Sequence, residues 1–544
     1  MRIAMLSWET LHSVAVGGVA CHVSELAKAL AAKGHDVHLF TRIGADQSDY
    51  DFIEGVHYYR CPYKGDKEFV DDVNNMCRAF VHRVFGVEDG TGRPFEIIHA
   101  HDWLTANAMI WIKKGRGRRG ILTIHATEYG RSGNLFHNGR SQRIREQERA
   151  GSYWADRVIA VSHALKAELA WMYESPDWHT AVIYNGVDRH RFDVMVDAAA
   201  VRRQYAIGPT DPVVLFCGRL DYQKGPDLLV EGFVRAKERW PNAKLVFAGD
   251  GGMRGLLERR VHECGMDDAV RFPGYLNGSA LPELFKAADA VAVPSRNEPF
   301  GIVVLEAWSA GKPVLATHDG GPGEYVEHEV DGLKIYADPD SIAWGINRMF
   351  EDFETARQMG IRGRQKLERG FTWEAVADET LKAYHEAAPE LKRLPLPPGL
   401  VNSAASIKTA PAPPLRSRIL THIADRGRAT PQPVEATNEP PPTSTTGSED
   451  ALQQWQRALI QAGNRAYRHE GRLIVEGELS TVFELLAQTV AADGCHRGGA
   501  SRQQLELVLV PPESKGEPEC PLFDQTIGSV GAHTVPDAQR TQIG

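Results

Sequence analysis

Two carboxylates, Glu298 and Glu306, flank a Pro-Phe-Gly turn within residues 293–317, VPSRNEPFGIVVLEAWSAGKPVLAT. Ser295 and Asn297 are turn and cap formers, Gly301 permits a tight backbone, and residues 302–310 have the length and composition of a buried helix. A turn feeding a helix start leaves backbone N–H groups without partners, here those of Gly301, Ile302 and Val303. Together with the positive end of the helix dipole they would hold an anion such as phosphate. Glu306 is expected about two turns along, roughly 12 Å from the helix start. That distance suits a carboxylate holding the ribose hydroxyls of a nucleotide whose phosphates lie at the turn. Two glutamates at this spacing also occur on solvated helices, so the whole string and the other strand-end residues must carry the argument.

Four further elements fall at such strand ends. Gly17-Gly18, in AVGGVACHV, precedes a helix and would present backbone N–H groups to a diphosphate, or serve as a plain turn. His125 closes ILTIH and is followed by ATEYG, which sets Glu128 and Tyr129 near the same end; a lone histidine there would be a cap or core residue. His99, His101 and Asp102, in HAHDWLTA, close the preceding strand. Arg219 and Lys224, in FCGRLDYQKGPD, follow a buried strand and lead into a helix; two cations in such a loop are solvated or neutralise an anion. The lysine would be a mobile point charge and the arginine a fixed fork. Gly249, Asp250 and Gly251 let backbone approach a ligand, and Tyr275 either stacks on a base or covers the core. Residues 319–326 add a second glycine turn and helix start. Three histidines near carboxylates raise the question of a metal, yet no HExxH or DxD-type ligand set occurs in these segments.

The string around Glu298 resembles the nucleotide-sugar signature of the retaining glycosyltransferases of family 4 and the related glycogen and starch synthases, which share the two-domain GT-B fold. The resemblance is specific at Glu298, Pro299, Phe300, Gly301, Glu306, Ala307, Gly311, Pro313 and Val314, while Arg296 and Trp308 are less usual variants. It implies that His125 contacts the transferred sugar near its anomeric carbon, that Arg219 and Lys224 neutralise the departing diphosphate, and that Gly17 and Gly18 form the glycine loop after the first strand. It also implies an acceptor-side role for the HDW motif, hence for His101 and Asp102 with Glu128 near them, and no metal ion. No cofactor is expected beyond a UDP-, ADP- or GDP-linked sugar as substrate. The resemblance covers roughly residues 1–388.

The chain as a whole is compatible with this. Its 544 residues suggest three or four domains, and 42% hydrophobic content is ample for large cores. No run of about 18 apolar residues occurs, so nothing is expected to span a bilayer. The start, MRIAMLSWET, lacks a signal-peptide pattern, and a cytoplasmic protein is expected. Seven scattered cysteines without CxxC spacing argue for reduced thiols. A net charge of −9 gives no general case for nucleic-acid binding. The cluster Lys113, Lys114, Arg116, Arg118 and Arg119 would touch anionic headgroups or a phosphorylated acceptor, or be a solvated loop.

Short apolar runs alternate twice with amphipathic segments, the sign of parallel βαβ units and of an α/β fold with two doubly wound Rossmann-like domains facing a cleft. The expected division is an acceptor domain over 1–195, a nucleotide-sugar domain over 196–371 and a helix over 372–390 crossing back to the first domain. A proline-rich linker over 391–447 follows, then a small α/β extension of unknown role over 448–510 and a disordered tail over 511–544. Residues 395–442 hold 11 of the 31 prolines.

The expected function is transfer of a hexosyl group, of glucosyl type, from a nucleotide diphosphate sugar to a carbohydrate hydroxyl with retention, as in glycogen or glucan synthases. Alternatives are a family 4 transferase acting on a small sugar, lipid or cell-surface glycan, a sugar-nucleotide 2-epimerase, and an inactive binding protein. Oligomeric state, donor and acceptor are left open.

Overall fold

A computed structural model describes residues 1–387 and, of the remainder, the strand backbones at 465–469, 472–476, 505–510, 526–527 and 542–543. Two compact units divide the chain, Met1–Lys408 and Thr409–Gly544.

The first unit contains two sheets. In the first, β1 (Arg2–Leu6), β2 (Asp36–Arg42), β3 (Tyr50–Ile53), β4 (Val56–Cys61), β5 (Ile97–His101), β6 (Arg119–Ile124), β7 (Arg157–Ala160) and β8 (Thr180–Val182) stand in the order β3-β4-β2-β1-β5-β6-β7-β8. Only the β3/β4 hairpin is antiparallel. In the second, β9 (Val213–Cys217), β10 (Lys244–Ala248), β11 (Val270–Gly274), β12 (Ala290–Val293), β13 (Val314–Thr317) and β14 (Leu333–Ile335) run in the order β11-β10-β9-β12-β13-β14, with every pairing parallel. Runs such as RIAML, IIHAH and AVAV are buried along their whole length because helices cover both sheet faces. Strand order reverses at β1/β5 and at β9/β12, and it is beyond the carboxyl ends of those strands that Rossmann-like sheets bind ligands.

Helix Trp373–Glu386, capped by Thr372, packs on helix Gly18–Ala32 and on β7. Its Trp373, Val376, Ala377 and Tyr384 share one apolar core with Ile3, Met5, Val23 and Leu26, so a segment beyond the second sheet completes the first. The helix of the Glu298 string spans Ile302–Ser309. Its unusual Trp308 is wholly buried and donates to the Asp331 carbonyl at 2.9 Å, while Arg296 grips both carboxylate oxygens of Asp227 at 2.8 and 2.6 Å.

Helix Phe69–Thr91 is capped by the Glu68 carboxylate, and Arg140–Trp154 is so polar that only Ile144, Glu148, Gly151 and Ser152 are buried on it. The basic cluster ends helix Trp103–Arg116, where cations favour the dipole, and most of it is paired: Lys113 with Asp156, Arg116 with Asp89 and Arg118 with Glu88, while Lys114 lies 4.1 Å over Trp154. The solvated-loop reading fits these pairs better than a headgroup site.

In the second unit, Arg472–Glu476 pairs antiparallel with Arg465–His469 and parallel with Leu505–Val510. Leu505–Val510 also pairs with Thr526–Ile527 and Gln542–Ile543, so the segment expected to be a disordered tail contains two short strands. The linker 391–447 and the two helices expected within 448–510 lie outside the described residues. Among the described residues no helix is long and apolar enough to cross a membrane.

Candidate active site

The carboxyl ends of β1, β5, β6, β9, β10 and β12 open into one cleft of about 1110 Å³ between the two sheets, above the ~300–1,000 Å³ usual for small-molecule sites. It is lined by Gly17, Gly18, His101, Asp102, His125, Arg219, Lys224, Gly249, Asp250, Tyr275, Glu298, Phe300, Gly301, Ile302, Val303 and Glu306. His99, Tyr129 and residues 319–326 do not line it, and neither does Glu128. Its carboxylate instead accepts from Ser132 Oγ at 3.2 Å and faces Arg131 at 3.6 Å, and the neighbouring Tyr129 packs on Phe136 and Trp171. The one-turn helix that starts at Glu128 rotates both side chains away from the cleft.

On the second-sheet side, Glu298 is buried, accepts from Ser295 Oγ at 2.8 Å and is gripped by Lys224 Nζ at 2.8 and 3.0 Å. The loop after β9 thus delivers a cation to the loop after β12. Arg219 is half exposed and held loosely, 3.1 Å from Asp221. Gly301 adopts φ +87°, which admits the turn from Phe300 into the helix. Because that helix begins at Ile302, Glu306 sits four residues in, about 6 Å or one turn along, and not two. Burial raises the Glu306 carboxyl to about 6 against the attraction of Arg191, 3.6 Å away. Gly249 has φ +151°, and a Cβ there would meet the Gly218 carbonyl at 1.9 Å, so only glycine lets the loops after β9 and β10 close on one another. Asp250 accepts from the Gly251 amide at 2.8 Å and Tyr275 is 61% exposed on the rim, which leaves it available for stacking rather than core cover.

On the first-sheet side the polar groups are buried and locked. Asp102 has φ +57°, and its carboxylate accepts from the His125 backbone N–H at 2.7 Å while facing Arg131 at 3.9 Å. Arg131 donates to Glu148 at 2.6 Å; Glu148 also accepts from the Glu128 amide at 2.9 Å and from the Tyr173 hydroxyl. Burial lifts the Glu148 carboxyl to about 7 even against Arg131, and pushes His125 down to about 3, so His125 is a neutral imidazole. His99 is a structural residue, hydrogen-bonded to Tyr384 Oη and Thr123 Oγ1 at 2.7 Å each. The glycine loop is not open to a ligand throughout: the amides of Val16 and Gly17 donate to the Glu9 carboxylate at 2.6 and 2.7 Å. The amides beyond it, of Gly18 and Val19, start the helix.

Residues 16–191 match the model of the glycosyltransferase family 4 domain, and residues 197–366 that of the glycosyl transferases group 1. An uncharacterized glycosyltransferase of Methanocaldococcus jannaschii is 36% identical over 71% of this chain and 98% of its own length. The chain belongs to this family of glycosyltransferases. A glycogen synthase of Mycobacterium tuberculosis is 31% identical over 73% of the transferase and 97% of itself. Among solved structures, sucrose-phosphate synthase from Thermosynechococcus elongatus superposes with a TM-score of 0.61 at 26% identity, covering 71% of the transferase and 98% of that chain. The two sheets facing a cleft are the GT-B fold. Both family models fall on the first unit, and the relatives and the solved structure cover 71–73% of the transferase.

Four residues of this glycosyltransferase site carry no local signal in the sequence. Glu9 reads as the end of a strand, Arg131 and Glu148 as charges on polar helices, and Arg191 as part of a basic interdomain turn, Arg189–Phe192. Only the buried face of helix Arg140–Trp154, which repeats at Ile144, Glu148 and Gly151, hints that Glu148 points inward.

Proposed function

We propose that the protein transfers a hexosyl group, of glucosyl type, from a nucleotide diphosphate sugar to a glucan hydroxyl with retention at the anomeric carbon. One observation carries the reading: the cations Arg219 and Lys224, the carboxylates Glu298 and Glu306 and the helix start at Gly301–Val303 converge in one cleft. In it the diphosphate is held by Arg219, Lys224 and the amides of the helix start, and Glu306 takes the ribose hydroxyls. His125 and Glu298 hold the sugar, and Asp102 fixes His125 through its backbone. As the bond from C1 to the diphosphate oxygen breaks, its electron pair leaves with the diphosphate and the growing charge is met by two cations. The acceptor oxygen bonds to C1 from the same face and its proton passes to the diphosphate oxygen. Lys224 is pre-positioned on Glu298 and exchanges part of that contact for the phosphate when donor binds. The reading includes no metal in the transfer step, because the two cations do that work, and a cytoplasmic location, consistent with five unpaired cysteines among the described residues. The glycogen synthase relative supports the glucan acceptor. The sucrose-phosphate synthase neighbour supports a second reading, a small sugar as acceptor.

Purified protein incubated with UDP-, ADP- and GDP-sugars, with and without glucan primer, tests both. Primer-stimulated nucleotide release with one donor supports a glucan synthase and identifies the donor. Release that responds to small sugars but not to primer supports the second reading. Conversion of a sugar nucleotide to its 2-epimer without acceptor overturns both.

A further inference from the structure

Among the four histidines at the carboxyl ends of the first sheet and its neighbouring helix, His22, His101 and His125 differ from His99. His99 has partners at both ring nitrogens. His22 and His101 are 3% and 1% exposed, and each leaves its Nε2 with no hydrogen-bond partner. A buried polar atom without a partner costs about 1–3 kcal/mol, so the unpartnered Nε2 of His22 needs a physical reason. The side-chain oxygen of Asn185 lies 2.8 Å from His22 Nδ1, and an amide oxygen only accepts, so Nδ1 carries the proton and Nε2 presents a bare lone pair. One ring nitrogen from each of His22, His101 and His125 lies within 4.8 Å of the other two, with His101 Nδ1 and His125 Nε2 only 3.2 Å apart.

We propose that His22, His101 and His125 form a binding site for a borderline divalent transition-metal ion of the Zn²⁺ class, with its fourth position open to the cleft. Three neutral imidazoles are the donor set that Zn²⁺, Co²⁺ and Ni²⁺ take at about 2.0–2.1 Å, and they are poor ligands for Mg²⁺ or Ca²⁺. Tetrahedral bonds of that length set nitrogens roughly 3.3 Å apart. The rings therefore close inward by at most about 1.5 Å from the 4.8 Å limit. Asn185 supplies the outer hydrogen bond that holds a metal-ligating histidine in the correct tautomer. Burial keeps all three rings unprotonated, as ligands must be. The other histidine group, Asp36, His38 and His57, is a poorer candidate because Arg2 and Arg93 stand 3.2 and 3.4 Å from the Asp36 carboxylate and oppose a cation. Since His101 and His125 line the cleft, an ion there engages His125 and excludes the donor sugar. The site is therefore inhibitory and competitive with donor, a consequence that rests on the transferase reading, whereas the binding itself does not.

Titration of the full chain with Co²⁺, followed by visible absorption, tests binding without reference to activity. The intense bands of tetrahedral Co²⁺ are expected, and Zn²⁺ displaces them. His22→Gln abolishes the bands and weakens Zn²⁺ binding at least about tenfold, while His57→Gln leaves both unchanged. In the transfer assay Zn²⁺ raises the apparent KM for donor without lowering kcat, and His22→Gln removes this effect. Absence of the bands at millimolar Co²⁺, or their persistence in His22→Gln, overturns the site. Should His22→Gln fail to fold, anomalous scattering at the zinc edge from Zn²⁺-soaked wild-type crystals decides: a peak bound by the three rings supports the site and a peak elsewhere overturns it. Intact Co²⁺ binding with no transferase activity on any donor would overturn the functional reading alone.

Discussion

The two walls of the cleft hold their charges in opposite ways. On the first-sheet wall Glu148 and Asp102 are buried and Arg131 is partly covered, and each is satisfied by groups of the same wall. On the second-sheet wall Arg219 is half exposed and Lys224 bridges to Glu298 from another loop, so the cations reach ligand by exchanging partners. The contrast separates two tasks. A frame that orients a neutral imidazole must not move, whereas charges that meet a departing diphosphate must be in place yet accessible. Substitutions on the first wall should therefore be read in stability, and substitutions on the second in rate.

The largest effect is expected for Glu148→Ala. It leaves Arg131 facing only Asp102, at 3.9 Å, and Glu128, and removes acceptors from the Glu128 amide and the Tyr173 hydroxyl. Breaking a buried pair by deleting one partner typically costs about 3–5 kcal/mol. Denaturant unfolding measures it, and a loss below about 1 kcal/mol would show that the first wall is not the rigid frame described. For Arg219→Ala the expected signature is the reverse, a fall in kcat of about 10²- to 10³-fold with little change in unfolding. Lys224→Ala should show the same fall in kcat together with a loss of stability, because buried Glu298 loses its cation. Wild-type turnover in either variant would break the assignment of the mobile wall to the leaving group.

The same division decides what could be read from the sequence. The second wall was legible because its groups lie in contiguous strings: EPFG with Glu306 one helical turn later, and Arg219 with Lys224 in one loop. The buried strand expected before Arg219 is β9, Val213–Cys217. The first wall is assembled from Glu9, His22, Asp102, His125, Arg131, Glu148 and Asn185, which no spacing connects. Glu148 was hidden in a helix whose polarity marks it as solvated, and His22 read as one position of an amphipathic helix. Glu128 misled for a related reason, since its place beside His125 says nothing of the turn that rotates it toward Arg131.

Glu306 tests the electrostatics between the walls. Its folded carboxyl titrates near 6 against an ordinary 4.5, so the folded state holds its proton more tightly than the unfolded chain. Stability should fall as pH rises from about 4.5 through 6 and then level off, a change of about 2 kcal/mol with the attraction of Arg191 already included. Glu306→Gln removes this dependence. Relative to wild type it should be no more stable at pH 4 and more stable at pH 8, while binding donor less well. Unfolding curves at the two pH values check the sign; an advantage that does not grow with pH would mean that Glu306 is already paired or solvated in the fold.

The smallest effect sharpens the one place where the walls share a ligand. Glu9 is buried, and burial raises its carboxyl against the pull of the two amides it holds, those of Val16 and Gly17. Its carboxylate leaves the next two amides, of Gly18 and Val19, at the helix start for the diphosphate, and a Cβ on Gly18 would lie 3.1 Å from Ile302 Cδ1 of the opposite wall. Glu9 is thus a positioning residue for the glycine loop. Glu9→Gln keeps the shape but turns charge-assisted hydrogen bonds into neutral ones, a loss of about 1 kcal/mol. That corresponds to a rise in the donor KM of about fivefold with kcat nearly unchanged. If the carboxylate instead competes with the diphosphate for the loop amides, the same variant lowers KM. The direction of that one constant therefore distinguishes a loop ordered for its ligand from a loop closed against it.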